Sequence, residues 1–135
     1  MAGYSATPLQ KKLGIRDGFK IFLVNAPENY FSLLGKHSDE VKTVPASSSD
    51  VDFIHLFVTS EKELNKQLPL LKKKMSQSGM IWVSWYKKSS GIPTDVTEDS
   101  IREAAFPLGL VDVKVCAVDE QWSGLKLVIR KVNRK

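Results

Sequence analysis

Three runs rich in β-branched and aromatic residues constrain this chain most: FKIFLVN (Phe19 to Asn25), VDFIHLFV (Val51 to Val58) and GMIWVSWY (Gly79 to Tyr86). Each has the length of a strand and is apolar on both alternating faces. A strand of that kind needs cover on both sides, which is the situation of interior strands in a parallel sheet. The segments between them follow helical spacing, so the chain alternates strand and helix. That order calls for right-handed crossovers and helices on both faces of the sheet.

Local signals place the remaining elements. Thr7, Pro8 and Gly14 bracket a short opening helix, with Pro8 at its first position. In PENYFSLLG, Tyr30, Phe31, Leu33 and Leu34 are expected on one side of a crossover helix that Gly35 ends. Val41 to Val44 reads as a short peripheral strand. Ser60 and Glu63 form the pattern of a capping box, and Leu64, Leu68, Leu71 and Met75 then fall on one face, opposite Lys66, Lys72 and Lys73. Pro69 is expected to kink or divide that helix. Trp82 and Trp85 should point to opposite faces of the third strand. Thr97 caps a further helix with Glu98 and Asp99 in its first turn and Ile101, Ala104, Ala105 and Leu108 along its buried side. Gly109 should end it. LVDVKVCAV and GLKLVIRKV, joined only by DEQWS, should be antiparallel neighbours. Val41 to Val44 and this hairpin are the expected sheet edges, where a second subunit could pair.

The fold expected is therefore α/β: a three-layer, Rossmann-like arrangement whose mostly parallel sheet ends in a C-terminal antiparallel hairpin. With 135 residues, 42% hydrophobic and 26% charged, the chain matches one soluble globular domain. Residues 1–17 are expected as an N-terminal helical arm and 133–135 as a basic tail. Apolar runs reach only about eight residues, where a membrane span needs roughly 20, so no membrane role is expected. MAGYSATPLQKKLG lacks the apolar stretch of an export signal, and the one cysteine, Cys116, has no internal partner; both point to the cytoplasm. Cys116 reads as a small core residue. Net charge is +5, concentrated in Lys72 to Lys74 and in KLVIRKVNRK. Without a recognisable nucleic-acid module such runs are usually solvated faces, which argues against nucleic acid as the main partner.

The layout of elements is similar to a reduced class I S-adenosylmethionine-dependent methyltransferase fold, over roughly Ile15 to Val132. AGYSATPLQKKLGI at the start and AVDEQWSGLKLVIRK near the end resemble the bacterial domain of unknown function family 3052, the turn Trp122-Ser123-Gly124 being the most specific part. The family resemblance implies a fold and a bacterial, cytoplasmic setting but no reaction. Methyltransferases of that class place a glycine-rich turn after the first strand and an acidic residue at the end of the second. Here those places hold VNAPEN and KTVPASSS. Pro27 suits a helix start but narrows the space for an adenosyl group, and Glu28 puts negative charge where a phosphate would be drawn. No cofactor is expected.

Ligands of open parallel sheets bind beyond the carboxyl ends of the strands. On that rim the sequence places Asn25, Thr59 with Ser60, Lys87 with Lys88, and the loop Asp119 to Ser123 with Trp122, groups suited to a small anionic or amide-bearing ligand. Each also has a structural use: Asn25 in a turn, Thr59 and Ser60 in capping, Lys87 and Lys88 as a solvated strand end, Trp122 as a lid on the core. His55, inside an apolar strand, reads as a hydrogen-bonded core residue, and neither it nor His37 has metal ligands at suitable spacing. No catalytic residue or metal site is expected. The leading expectation is a non-catalytic domain binding an unidentified small ligand or protein partner. One alternative is a minimal enzyme using Asn25, Thr59, Lys88 and Asp119; the other is a basic nucleic-acid binder using Lys126, Arg130, Lys131 and Arg134.

Overall fold

The structure, a computed structural model, describes residues 9–34 and 42–134. Six strands form one sheet: β1 (Lys20–Val24), β2 (Lys42–Thr43), β3 (Val51–Phe57), β4 (Met75–Tyr86), β5 (Leu110–Ala117) and β6 (Trp122–Ile129). Their spatial order is β2-β1-β3-β4-β6-β5. The first four are parallel, and β6 and β5 add the antiparallel hairpin. As the short connections required, β2 and β5 are the edges.

Two helical layers cover the sheet. On one face, α3 (Glu61–Lys74) and α4 (Glu98–Ala105) bury Leu64, Leu68, Leu71, Ile101 and Ala105 against Ile54, Leu56, Ile81, Val83, Leu125 and Leu127. On the other, α1 (Leu9–Leu13) and α2 (Tyr30–Leu34) pack Leu9, Leu13, Tyr30 and Leu34 onto Phe53, Phe57, Trp82 and Trp122. Trp82 and Trp85 do fall on opposite faces, and the Trp82 indole N–H donates to Leu13 O at 2.9 Å, fixing α1 on the sheet.

Some local expectations need correction. Pro69 does not divide α3, which runs unbroken from Glu61 to Lys74. Its buried leucines on three successive turns outweigh the one backbone bond that proline removes. Phe31 is exposed, because α2 is little more than one turn and seats Tyr30 and Leu34 fully and Leu33 in part. Met75 opens β4 instead of closing the helix face. Between Val51 and Phe53 the pairing jumps from Met75 to Met80, so β4 carries a bulge. Gly79 allows it: a Cβ there would lie 2.8 Å from both Val51 O and Ser76 Oγ. The Ser60 hydroxyl caps Glu63 N at 3.2 Å, but the Glu63 carboxylate turns to Asn25 instead of completing the box. Thr97 caps α4 as expected, with Ser100 as reciprocal partner. Leu108 lies beyond α4 in a 3-10 turn, Phe106–Leu108, closed by Gly109 at φ 79°. Thr7, Pro8, Gly35, His37 and Val41 lie outside the described residues.

Candidate functional site

The carboxyl ends of β1, β3 and β4 and the β5–β6 turn meet at one end of the sheet, because β6 runs antiparallel to β4 with Tyr86 opposite Trp122. The expected rim residues therefore share an end of the molecule, and most of their polar groups are already engaged. Asn25 sits at φ 59°, in the left-handed region that asparagine tolerates. Its Nδ2 donates to Phe57 O and to Glu63 Oε1, both at 3.4 Å, linking β1, β3 and α3. Thr59 accepts at its carbonyl from Thr94 Oγ1, 2.8 Å away, and Ser60 caps α3. Asp119 Oδ1 accepts from the amides of Gln121 and Trp122, each at 2.8 Å, closing the hairpin turn. Trp122 is 7% exposed, stacked on Tyr86 at 4.0 Å between ring centroids and edge-on to Phe57 at 4.9 Å.

Lys87 and Lys88 differ from the others. The Lys87 backbone N–H is held by Gln121 O at 2.8 Å, while neither ammonium group makes a hydrogen bond or ion pair among the described residues. They border an open cleft of about 660 Å³ between the end of β4, the loop around Gly91 to Thr94 and the start of α4. Glu98 and Asp99 also line it and share Arg102, at 2.6 and 3.1 Å. Arg102 also reaches Asp112 on β5 at 3.0 Å, and that bond, then the one to Glu98, raises its pKa further. One guanidinium serves three carboxylates, so the cleft carries charge of both signs, with the two lysine ammonium groups at its β4 end and the acids at the start of α4.

A second cleft, of about 580 Å³, lies between β1, the loop at Ala46 to Ser49 and α3, and includes Asn25. Neither cleft gathers three of Asn25, Thr59, Lys88 and Asp119. Three of the four basic residues near the C-terminus have distinct neighbours. Arg130 lies over the Phe106 ring at 5.5 Å and Arg134 Nε donates to Ile129 O at 3.0 Å, while Lys126 pairs in register with Lys114 further along the hairpin.

The behaviour of His55 follows from its position. It is fully buried, with Nδ1 2.8 Å from the Tyr30 hydroxyl and Nε2 2.7 Å from Ser84 Oγ. Burial pushes its pKa down to about 3 and that of Tyr30 up from the usual phenol range. The trio is sealed in the core, stacked on Phe57 with ring centroids 4.3 Å apart, and is a structural network with no access to a ligand. Sequence reasoning found His55 but not its partners, although Ser84 is a conspicuous polar residue inside WVSWY. Burial likewise pushes the Cys116 thiol up.

Sheet order, three layers and a closing antiparallel hairpin define a Rossmann-like α/β domain of the methyltransferase fold type. Solved structures agree. A SAM dependent methyltransferase from Aquifex aeolicus superposes with a TM-score of 0.66 at 16% identity, over 90% of this chain and 87% of that one. Magnesium protoporphyrin IX methyltransferase from Synechocystis, with bound SAM, gives 0.62 at 9% identity over 90% of this chain and 74% of its own. A TehB-like SAM-dependent methyltransferase from Corynebacterium glutamicum gives 0.56 at 13% identity, over 96% and 91%. At these identities the likeness is one of fold. The chain belongs to the family described as protein of unknown function (DUF3052), which matches residues 43–131. No curated protein matches the sequence.

Proposed function

We propose that this protein is a cytoplasmic Rossmann-like binding domain that holds a small anionic ligand at the carboxyl ends of its strands and transfers no methyl group. Closure of the connection behind β1 carries this reading. The Asn25 side chain ties that connection to Phe57 and Glu63. Pro27 O accepts from Tyr30 N at 3.0 Å, so the chain turns tightly into α2, and Pro27 itself has no amide to offer a ligand. No glycine occurs from Asn25 to Asn29 and no carboxylate from Val44 to Ser49, where an adenosyl cofactor would need close backbone approach and a ribose partner. The unengaged Lys87 and Lys88 offer an anion free ammonium donors at the β4 end of the larger cleft, away from the acids that Arg102 holds, and Trp85, Val96 and the loop prolyl ring of Pro93 supply an apolar wall.

The negative half is tested by calorimetric titration with S-adenosylmethionine and S-adenosylhomocysteine, for which no binding is expected; micromolar binding of either overturns it. A thermal-shift screen of small carboxylates and phosphates tests the positive half. A compound that stabilises the wild type and fails to stabilise Lys87→Gln/Lys88→Gln is the expected result, and equal stabilisation of both proteins contradicts it.

A further inference from the structure

The hairpin and α1 bring together three lysines that no short-range motif connects. Lys114 Nζ donates to Lys12 O at 2.9 Å, and Lys12 Nζ donates to Ala117 O at 3.3 Å. Lys126 is the cross-strand partner of Lys114, and its Nζ stands beside the end of α1, 4.0 Å from the point a Cβ on Gly14 would occupy. Lys12 and Lys126 are half-buried. Among the described residues every ion pair is made by Arg102, so none of the three has a carboxylate partner. Burial, then the neighbouring Lys114, lowers the pKa of Lys126.

Partly desolvated lysines are ordinarily paired with an acid, since removing an ammonium group from water without a counter-charge is costly. The carbonyl end of α1 offers little compensation. A full helix end is equivalent to about half a negative charge, and α1 is only five residues long, so most of the charge of the three lysines stays unbalanced. Each ammonium has three donors and spends at most one on a carbonyl, so all three lysines keep donors to spare beside the end of α1.

We propose that Lys12, Lys114 and Lys126 form a binding site for a phosphate group, on the sheet face opposite the Lys87–Lys88 cleft. The phosphate takes the place of the missing counter-charge through charge-assisted hydrogen bonds. It comes either from a free phosphorylated metabolite or from a nucleic-acid backbone, and the chemistry at the site is the same. The site is independent of the binding reading above, because it uses other residues on another face.

The test titrates the full chain with pyrophosphate and with a fluorescent single-stranded oligonucleotide at low salt. The proteins compared are wild type, Lys12→Gln/Lys114→Gln/Lys126→Gln and the charge-matched control Lys62→Gln/Lys66→Gln/Lys72→Gln on α3. The site predicts that the first triple variant binds at least about tenfold more weakly than the control, equivalent to about 1.4 kcal/mol. Preference for pyrophosphate identifies a metabolite, and preference for the oligonucleotide with a steep salt dependence identifies nucleic acid. If the triple variant does not fold, Lys126→Gln alone decides. Removing one of the crowded charges should raise its melting temperature in phosphate-free buffer and abolish the further rise that pyrophosphate gives the wild type. Equal weakening of both triple variants, wild-type binding by the first, or no binding by the wild type at millimolar ligand overturns the proposal.

Discussion

His55 Nδ1 lies 2.8 Å from the Tyr30 hydroxyl in a part of the core that water does not reach. The hydroxyl belongs to the crossover helix and the ring to the second interior strand, so one bond joins two layers. Tyr30→Phe removes the donor or acceptor that Nδ1 requires and leaves a buried nitrogen unsatisfied. A loss of about 1–3 kcal/mol is expected in urea denaturation. An unchanged midpoint would show that the bond contributes nothing.

The same histidine makes stability depend on pH. Its pKa falls from 6.5 to about 3 on folding, so the unfolded chain binds the extra proton first. Its contribution is complete above pH 6.5 and is lost as pH falls toward the folded value, at up to about 1.4 kcal/mol per pH unit. Denaturation midpoints between pH 7 and pH 4 should decline less steeply for His55→Gln than for the wild type. Parallel declines contradict the assignment.

Gly79 meets the carbonyl of Val51 too closely for any side chain, since its added Cβ would stand 2.8 Å away. Gly79→Ala must push β3 from β4 at the bulge and should cost about 1–3 kcal/mol. Circular dichroism melting of the variant checks it, and wild-type stability would mean the bulge is not held at that spacing.

Asn25 combines a positive φ of 59° with two side-chain hydrogen bonds. Asn25→Ala loses the bonds and meets the left-handed penalty of about 1–2 kcal/mol, whereas Asn25→Gly loses only the bonds. Alanine should therefore be the more destabilising substitution by chemical denaturation. The reverse order would place the residue in another backbone conformation.

How far these relationships are legible beforehand depends on their range. Val51 to Val58 and Gly79 to Tyr86 declare themselves as covered strands because both faces are apolar, and the four residues between β5 and β6 leave room only for a hairpin. The start of β4 is hidden because Met75 continues the helical spacing of Leu64, Leu68 and Leu71, and only the bulge against Val51 recruits it to the sheet. Phe31 was misplaced because helical spacing says nothing about how short α2 is. The rim follows from strand direction, but whether Asn25 or Asp119 is free for a ligand depends on which backbone groups tertiary structure brings beside it. Lys12 and Lys114, 102 residues apart, carry no sequence signal of their meeting at all.

Calorimetric titration of the purified chain with S-adenosylmethionine at neutral pH tests the central claim most directly. With Asn25 tied to Phe57 and Glu63, and Pro27 turning the chain straight into α2, the account predicts no heat of binding up to millimolar cofactor. A saturable isotherm with micromolar affinity would contradict it.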